Sequence, residues 1–349
     1  MQRAEIEARV RGGDHVEGAD LAGVELSGAV LAGGILERVS FAGARLAGAS
    51  FKETLLHECD LTGADLTGAD LTRATFHKCA LTGASLRGAR MVKAKLLSSS
   101  LAGADFDGAR MALAVLEHVD LTGARLTTVN LDRAAILSAK LDRTSFAGAR
   151  LAQTTVLDAD FTTADLTGAR FELAVLVGSK LAGRDLSGLA LGGSQLTGCD
   201  LKGCNFAGAD LAQVGFKGAD LTGANLEGAR LATALFVEAK LVGAVLRDAQ
   251  APQALFVGAD LSGADCSGAN LDQAIFSKAT CRGTLFRGAG LTYADFSHAD
   301  VSEAVFLGAT LFRARFHSTK ETGTIFGTRA LALGDDELLA EAERWRPSH

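Results

Sequence analysis

Large apolar residues recur along this chain with a beat of five. Across Cys59–Leu71 it reads Cys-Asp-Leu-Thr-Gly, Ala-Asp-Leu-Thr-Gly, Ala-Asp-Leu: a small residue, a polar one, a large apolar one, then two outward-looking positions. With the large residue as the centre of each unit, centres fall at Val16, Leu21, Leu26, Leu31 and every fifth residue to Phe316. Only Ala251, Cys266 and Cys281 among them are not Val, Leu, Ile, Met or Phe. Two residues before each centre, from Ala19 to Ala314, only Arg184 and Leu189 fall outside Ala, Gly, Ser, Thr, Cys and Val. This beat matches neither the helical nor the strand period. Two inward positions per unit, with Gly so often at the unit's end, predict short extended segments joined by tight turns, because Gly accepts positive φ. Such units wind into a solenoid whose successive coils pair through their backbones.

The residue that ends each unit reports the size of a coil. Sorted by position, two classes are nearly all Gly, at 23, 43, 63 and 83 and at 28, 48, 68 and 88. The other two hold Arg38, Glu58, Lys78, His118 and Glu53, Arg73, Lys93, Arg133. Four units per turn accounts for this, and predicts that Phe216, Phe236, Phe256, Phe276, Phe296 and Phe316 stack as one ladder. The units, read as Ala-(Asp/Asn)-(Leu/Phe)-X-X, resemble the pentapeptide-repeat family over roughly Val16–Phe326. The resemblance implies an all-β fold, a right-handed quadrilateral β-helix of about fifteen coils of twenty residues. Residues 1–15 are then expected to form an N-terminal cap or partial coil, 16–326 the β-helix, and 327–349 a C-terminal cap with a short helix.

That terminal helix follows from Asp335 or Asp336 as N-cap and from Leu338, Leu339, Ala342 and Trp345 on one face. The expected role is closing the end of the solenoid, the alternative a docking or dimerisation helix. Two irregularities stand out within the repeat. Arg184 at a small inward position predicts a backbone deformation that lets the charge out, or else a recognition point. Pro252 removes a backbone donor and predicts weak pairing of coils there.

Composition adds little to the fold but narrows the function. A net charge of −6 over 349 residues announces neither a nucleic acid nor a membrane partner. Of the 18 Phe all but Phe312 are central, which describes a packed interior and no base-stacking platform. Met1–Val10 lacks an apolar signal core, no apolar run is long enough to span a membrane, and all six Cys occupy inward positions. These features predict a cytoplasmic protein with reduced thiols.

Catalytic and cofactor motifs do not emerge: the glycines are turn residues, and Cys199 and Cys204 lie five apart only because the inward phase recurs. His57 and His77, one coil apart, are expected to stack on an outer face as solvated side chains and not to bind metal. The reading is a non-enzyme without cofactor, so the faces carry the function. One presents an acidic column of Asp20, Asp60, Asp120, Asp160, Asp200, Asp220, Asp260 and Asp300, interrupted by Lys140, Lys180 and Lys240. Another presents Arg90, Arg110, Arg150, Arg170 and Arg230. A third is apolar outside as well as inside. Ile35, Leu55, Val115, Val175, Leu235, Leu255 and Ile275 precede its centres, and Leu97, Leu137, Leu157, Val177, Val237 and Val257 follow them. A strip of this kind predicts an interface. The leading expectation is an interaction scaffold that dimerises or docks a protein partner. The family resemblance supplies one context, accessory proteins of bacterial type VI secretion, and one alternative, a DNA-mimicking binder of DNA gyrase.

Overall fold

The beat of five is a hydrogen-bond pattern. Leu21 N–H donates to the Ser40 carbonyl on the next coil (2.8 Å) and Gly23 to Ala42 (2.8 Å), while Val24 turns back to Leu21 (3.2 Å). Ser40 in turn donates to Ala19 (2.9 Å). Each unit therefore spends the N–H of its centre, of the second residue after it and of the residue before the next centre on neighbouring coils. The small residue's N–H closes the turn. The N–H just after the centre is left over, and this spare donor governs much of the surface.

The computed structural model describes residues 2–344, which divide into two compact units at Lys180/Leu181. The first opens with α1 (Arg3–Arg11), whose Ile6 and Val10 are buried. Nine strands follow: β1 (His15–Glu17), β2 (Ile35–Glu37), β3 (Leu55–His57), β4 (Thr75–His77), β5 (Lys95–Leu97), β6 (Val115–Glu117), β7 (Ala135–Leu137), β8 (Thr155–Leu157) and β9 (Val175–Val177). They form one parallel sheet in sequence order, with Leu36 opposite Leu56 and Leu56 opposite Phe76. The other three faces pair through single parallel bridges such as Asp20↔Ser40, Glu25↔Arg45 and Val30↔Ser50. The second unit continues the scheme with Asp200↔Asp220, Asn205↔Asn225, Asp210↔Arg230 and Gly215↔Leu235. It ends in the paired β10 (Val305–Phe306) and β11 (Ile325–Phe326) and in α2 (Glu337–Arg344). The fold is a parallel β-solenoid.

Centres and small residues fill the interior of each unit. The expected ladder from Phe216 to Phe316 is present, with neighbouring rings 4.6–5.1 Å apart and nearly parallel. A second stack, Phe286–Phe306–Phe326, meets it edge to face. Offset and edge-on contacts suit the ring quadrupole, so the aromatic core of this unit is specific as well as apolar. Positive φ occurs at corners of all four faces, not only where Gly sits: Arg38 has φ 52° and Glu53 60°, against 66° at Gly23 and Gly28. The non-Gly values lie near the left-handed minimum, which an L-residue can occupy at some cost.

Two expectations change. Pairing does not weaken at Pro252: Ala251 donates to Asn270 (2.8 Å), Gln253 to Asp272 (2.9 Å), and Pro252 accepts from Thr233 (3.0 Å). Pro252 occupies the position just after a centre, where the ladder uses no N–H. At Arg184 the turn survives as well, with its N–H on Leu181 (3.1 Å) and its carbonyl taking Asn205 N–H (2.9 Å). The Arg184 side chain is half-buried.

Candidate interaction surfaces

The spare N–H explains the acidic column. Asp20, Asp60, Asp120, Asp160, Asp200, Asp220, Asp260 and Asp300 each accept, through Oδ1, the N–H two residues on, at 2.9–3.3 Å. Asn130, Asn205, Asn225 and Asn270 do the same on other faces. These are Asx turns, a side chain satisfying a donor that the coil leaves unpaired. The hydroxyl and amide of Thr122 hold the Asp120 carboxyl below its ordinary range, and those of Ser302 do so for Asp300. At Asp160 the Thr162 hydroxyl, with its amide, has the same effect. At Asp220 partial burial pushes upward and the Thr222 hydroxyl and amide outweigh it. Part of the column is also ion-paired. Lys180 lies 3.9 Å from Asp160, Lys202 3.4 Å from Asp200 and 3.5 Å from Asp220, and Arg282 3.5 Å from Asp300.

The basic column is relieved in the same way. Arg150 pairs with Asp132 (2.9 Å), Arg170 with Glu172 (2.7 Å) and Arg230 with Asp210 (2.6 Å). Exposed pairs of this kind add little stability, and among the described residues Arg90 and Arg110 take no part in them.

The apolar face breaks into separate patches. In the first unit Ile35 (48% exposed) and Leu55 form one. Thr75 and Lys95 follow in the same row and end it, so the strip is not continuous. A second patch starts at Leu97 and Val115 and becomes dense where Ala135, Thr155 and Val175 lie in one row and Leu137, Leu157 and Val177 in the next. In this second patch Leu97, Val115, Leu137, Leu157, Val175 and Val177 are half-buried, covered in part by their stacked neighbours. In the second unit Leu235, Leu255 and Ile275 are bridged in succession, with Val237 and Val257 beside them; Leu235 is exposed and the others half-buried.

His57 and His77 stack as expected, rings 4.9 Å apart with Nδ1 to Nδ1 2.9 Å. Sequence reasoning missed a second histidine pair. His298, His317 and Glu343 bring three potential ligand atoms within 4.8 Å of one another. Here Asp336 N–H donates to Nδ1 of the fully buried His317 (3.1 Å). The imidazole proton therefore sits on Nε2, which faces Glu343 Oε2 at 3.4 Å, and no lone pair is left there for a metal. The cluster fastens α2. Asp336 is the N-cap, accepting Leu339 N–H (3.0 Å). The expected apolar closure is corrected: Leu338 (80% exposed), Leu339 and Ala342 all face solvent, because polar ties to His317 and His298 set the helix's orientation. Trp345 lies outside the described residues. The six cysteines are free and buried, and burial pushes the Cys204 thiol up to about 11.

Coil, corner and cap together define a β-solenoid assembled from five-residue units. The family model described as pentapeptide repeats matches in overlapping stretches that together span residues 19–250 and 254–326, and the chain belongs to the pentapeptide-repeat family. No curated protein matches it. Among solved structures it is similar to QnrB1, a plasmid-mediated fluoroquinolone resistance protein, at 19% identity over 57% of this chain and 90% of that one, TM-score 0.37. It is similar to HetL, a pentapeptide repeat protein involved in heterocyst differentiation regulation from the cyanobacterium Nostoc sp. strain PCC 7120, at 23% identity over 90% and 96%, TM-score 0.23. A pentapeptide repeat protein of the Arabidopsis thaliana thylakoid lumen shares 33% identity over 36% of this chain and 73% of that one, TM-score 0.27. Among the described residues no helix is long and apolar enough to cross a membrane.

Proposed function

We propose that this chain is a non-enzymatic scaffold of cytoplasmic setting that docks a protein, or a second copy of itself, through its aliphatic patches. The observation that carries the reading is the outward row Leu235–Leu255–Ile275 with Val237 and Val257, matched in the first unit by the rows ending at Val175 and Val177. Parallel sheets are ordinarily covered on both faces, and clustered outward aliphatics on one face mark a surface that a partner covers. The DNA-mimic alternative needs a concentrated negative face, whereas the acids here cap corners and alternate with lysines.

The test is solution mass by sedimentation, wild type against Leu235→Asp/Leu255→Asp. A wild-type dimer that becomes a folded monomer in the variant supports self-association. A monomeric wild type that captures a protein the variant does not supports a foreign partner. Equal masses and equal captures reject the docking face.

A further inference from the structure

Among the described residues, two large aromatic side chains lie exposed on the surface. The single Tyr, Tyr293, and the single off-centre Phe, Phe312, lie together on the second unit's surface, rings 5.7 Å apart at 87°. They are 51% and 40% exposed. Surface aromatics contribute little to folding, so their pairing outside the core, which buries every other Phe except the half-buried Phe326, calls for another role.

Tyr293 lines a groove of about 630 Å³ that crosses three successive coils, and Phe312 stands against the Tyr293 ring. One wall is the corner column Gln273, Tyr293 and Arg313; the other is Ile275, Asp295 and Arg315, with Leu333 bridged to Arg315. The Arg313 guanidinium lies 5.9 Å from the Phe312 ring, and among the described residues it has no carboxylate within ion-pair distance. Arg315 reaches Asp295 only at 4.0 Å. The groove thus carries two arginines against one acid on a chain of net charge −6, beside exposed aromatic and aliphatic surface. Arginine forks match carboxylates, and the apolar residues offer seats for side chains between them.

We propose that this groove binds a short acidic peptide segment carrying an aromatic or aliphatic residue. Arg313 and Arg315 take its carboxylates, and Tyr293, Ile275 and Leu333 take its apolar side chain, with Phe312 backing the Tyr293 ring. The site goes beyond the aliphatic docking face, and its ligand is recognised by charge as well as by apolar contact.

The experiment is fluorescence anisotropy of a labelled Gly-Glu-Glu-Phe-Glu-Leu-Glu-Gly probe on the full chain, beside the same peptide with Lys for Glu and a labelled oligothymidine. The acidic probe should bind, and the Lys version should bind at least about tenfold more weakly. Arg313→Ala and Arg315→Ala should each weaken it about tenfold, the loss of one charge-assisted contact. Tyr293→Ser/Phe312→Ser, with unchanged circular dichroism, should weaken it too. No binding of the acidic probe up to about 1 mM, the scale of the weakest useful affinity, overturns the proposal. So does equal binding by the arginine variants. Tighter binding of oligothymidine, lost in the same variants, makes the groove a nucleic-acid site instead. The groove shares Ile275 with the aliphatic row, but the substituted Leu235 and Leu255 do not line it, so the two tests remain distinguishable.

Discussion

If the N–H after each centre is spare, proline belongs there and almost nowhere else in the coil. Ala47 is the cleanest position for the test. Around it Leu46 donates to Asp65 (2.7 Å), Gly48 to Thr67 (2.9 Å) and Ala49 back to Leu46 (3.0 Å), and Gly28 donates to the Ala47 carbonyl (2.8 Å), which proline keeps. Ala47→Pro therefore removes no hydrogen bond. With positive φ at Gly48, residue 47 holds the second position of a turn that proline favours. The expected gain is about 0.4–1 kcal/mol, from a less flexible unfolded chain. Thr62→Pro loses the bond from Thr62 N–H to Asp60 (2.9 Å). A bond to a carboxylate contributes about 1.5 kcal/mol at the low end suited to this exposed site, so the net is a loss of about 1 kcal/mol. Gly48→Pro demands that a residue at φ 64° adopt a negative φ and breaks the rung to Thr67, a loss of about 3 kcal/mol or more. Guanidinium denaturation followed by circular dichroism should rank the three midpoints in that order. Ala47→Pro as damaging as Gly48→Pro would show that the ladder does use this donor, and the account of the corners would fall.

Acid sensitivity follows from the same corners. Asp120, Asp160, Asp220 and Asp300 have carboxyls held below their ordinary value. Their contribution is fully present above the unfolded carboxylate range near pH 4 and is lost as pH falls through the lower folded values. Replacing all four by Asn keeps the Oδ1 acceptor, so denaturation midpoints should change little at pH 7 and fall less than wild type between about pH 4 and pH 2; parallel curves would refute this. In the second unit Phe256 sits between Phe236 and Phe276 at 4.8 and 4.7 Å. Phe256→Ala should cost about 3–5 kcal/mol, and a denaturation shift below about 1 kcal/mol would mean that the ladder does not hold the core.

Period, coil length and the Phe ladder were legible because each is a count along the chain. What pairing does with each backbone donor is not. Pro252 looked like a weak point only because a sequence does not say which N–H the ladder leaves idle. For the same reason the acids from Asp20 to Asp300 read as a charged face, when each one's first partner is its own corner. At the N-terminus α1 went unforeseen, although Ile6 and Val10 stand one helical turn apart; two apolar residues in a charged segment are a faint signal. At the other end the sequence showed α2 and its N-cap, but Leu338 and Leu339 suggested an apolar seat that polar ties to His317 replace. The groove was half visible: Phe312 stood out as off-phase, but its meeting with Tyr293 depends on contact between coils.

Because any centre can follow any other inside a coil, the solenoid sets a frame for insertions and deletions. Within either unit, gaining or losing twenty residues adds or removes one storey and leaves every later side chain above its old column. Losing five would still fill the interior, yet would turn each later residue by one quarter, carrying the aliphatic row of Leu235 and Leu255 to the side where the Arg row had stood. The interior is blind to that quarter turn and the exterior is not. Duplications in this chain's history that kept a binding face intact would have come in whole storeys, and the five-residue slip is the one that changes partners without unfolding the protein.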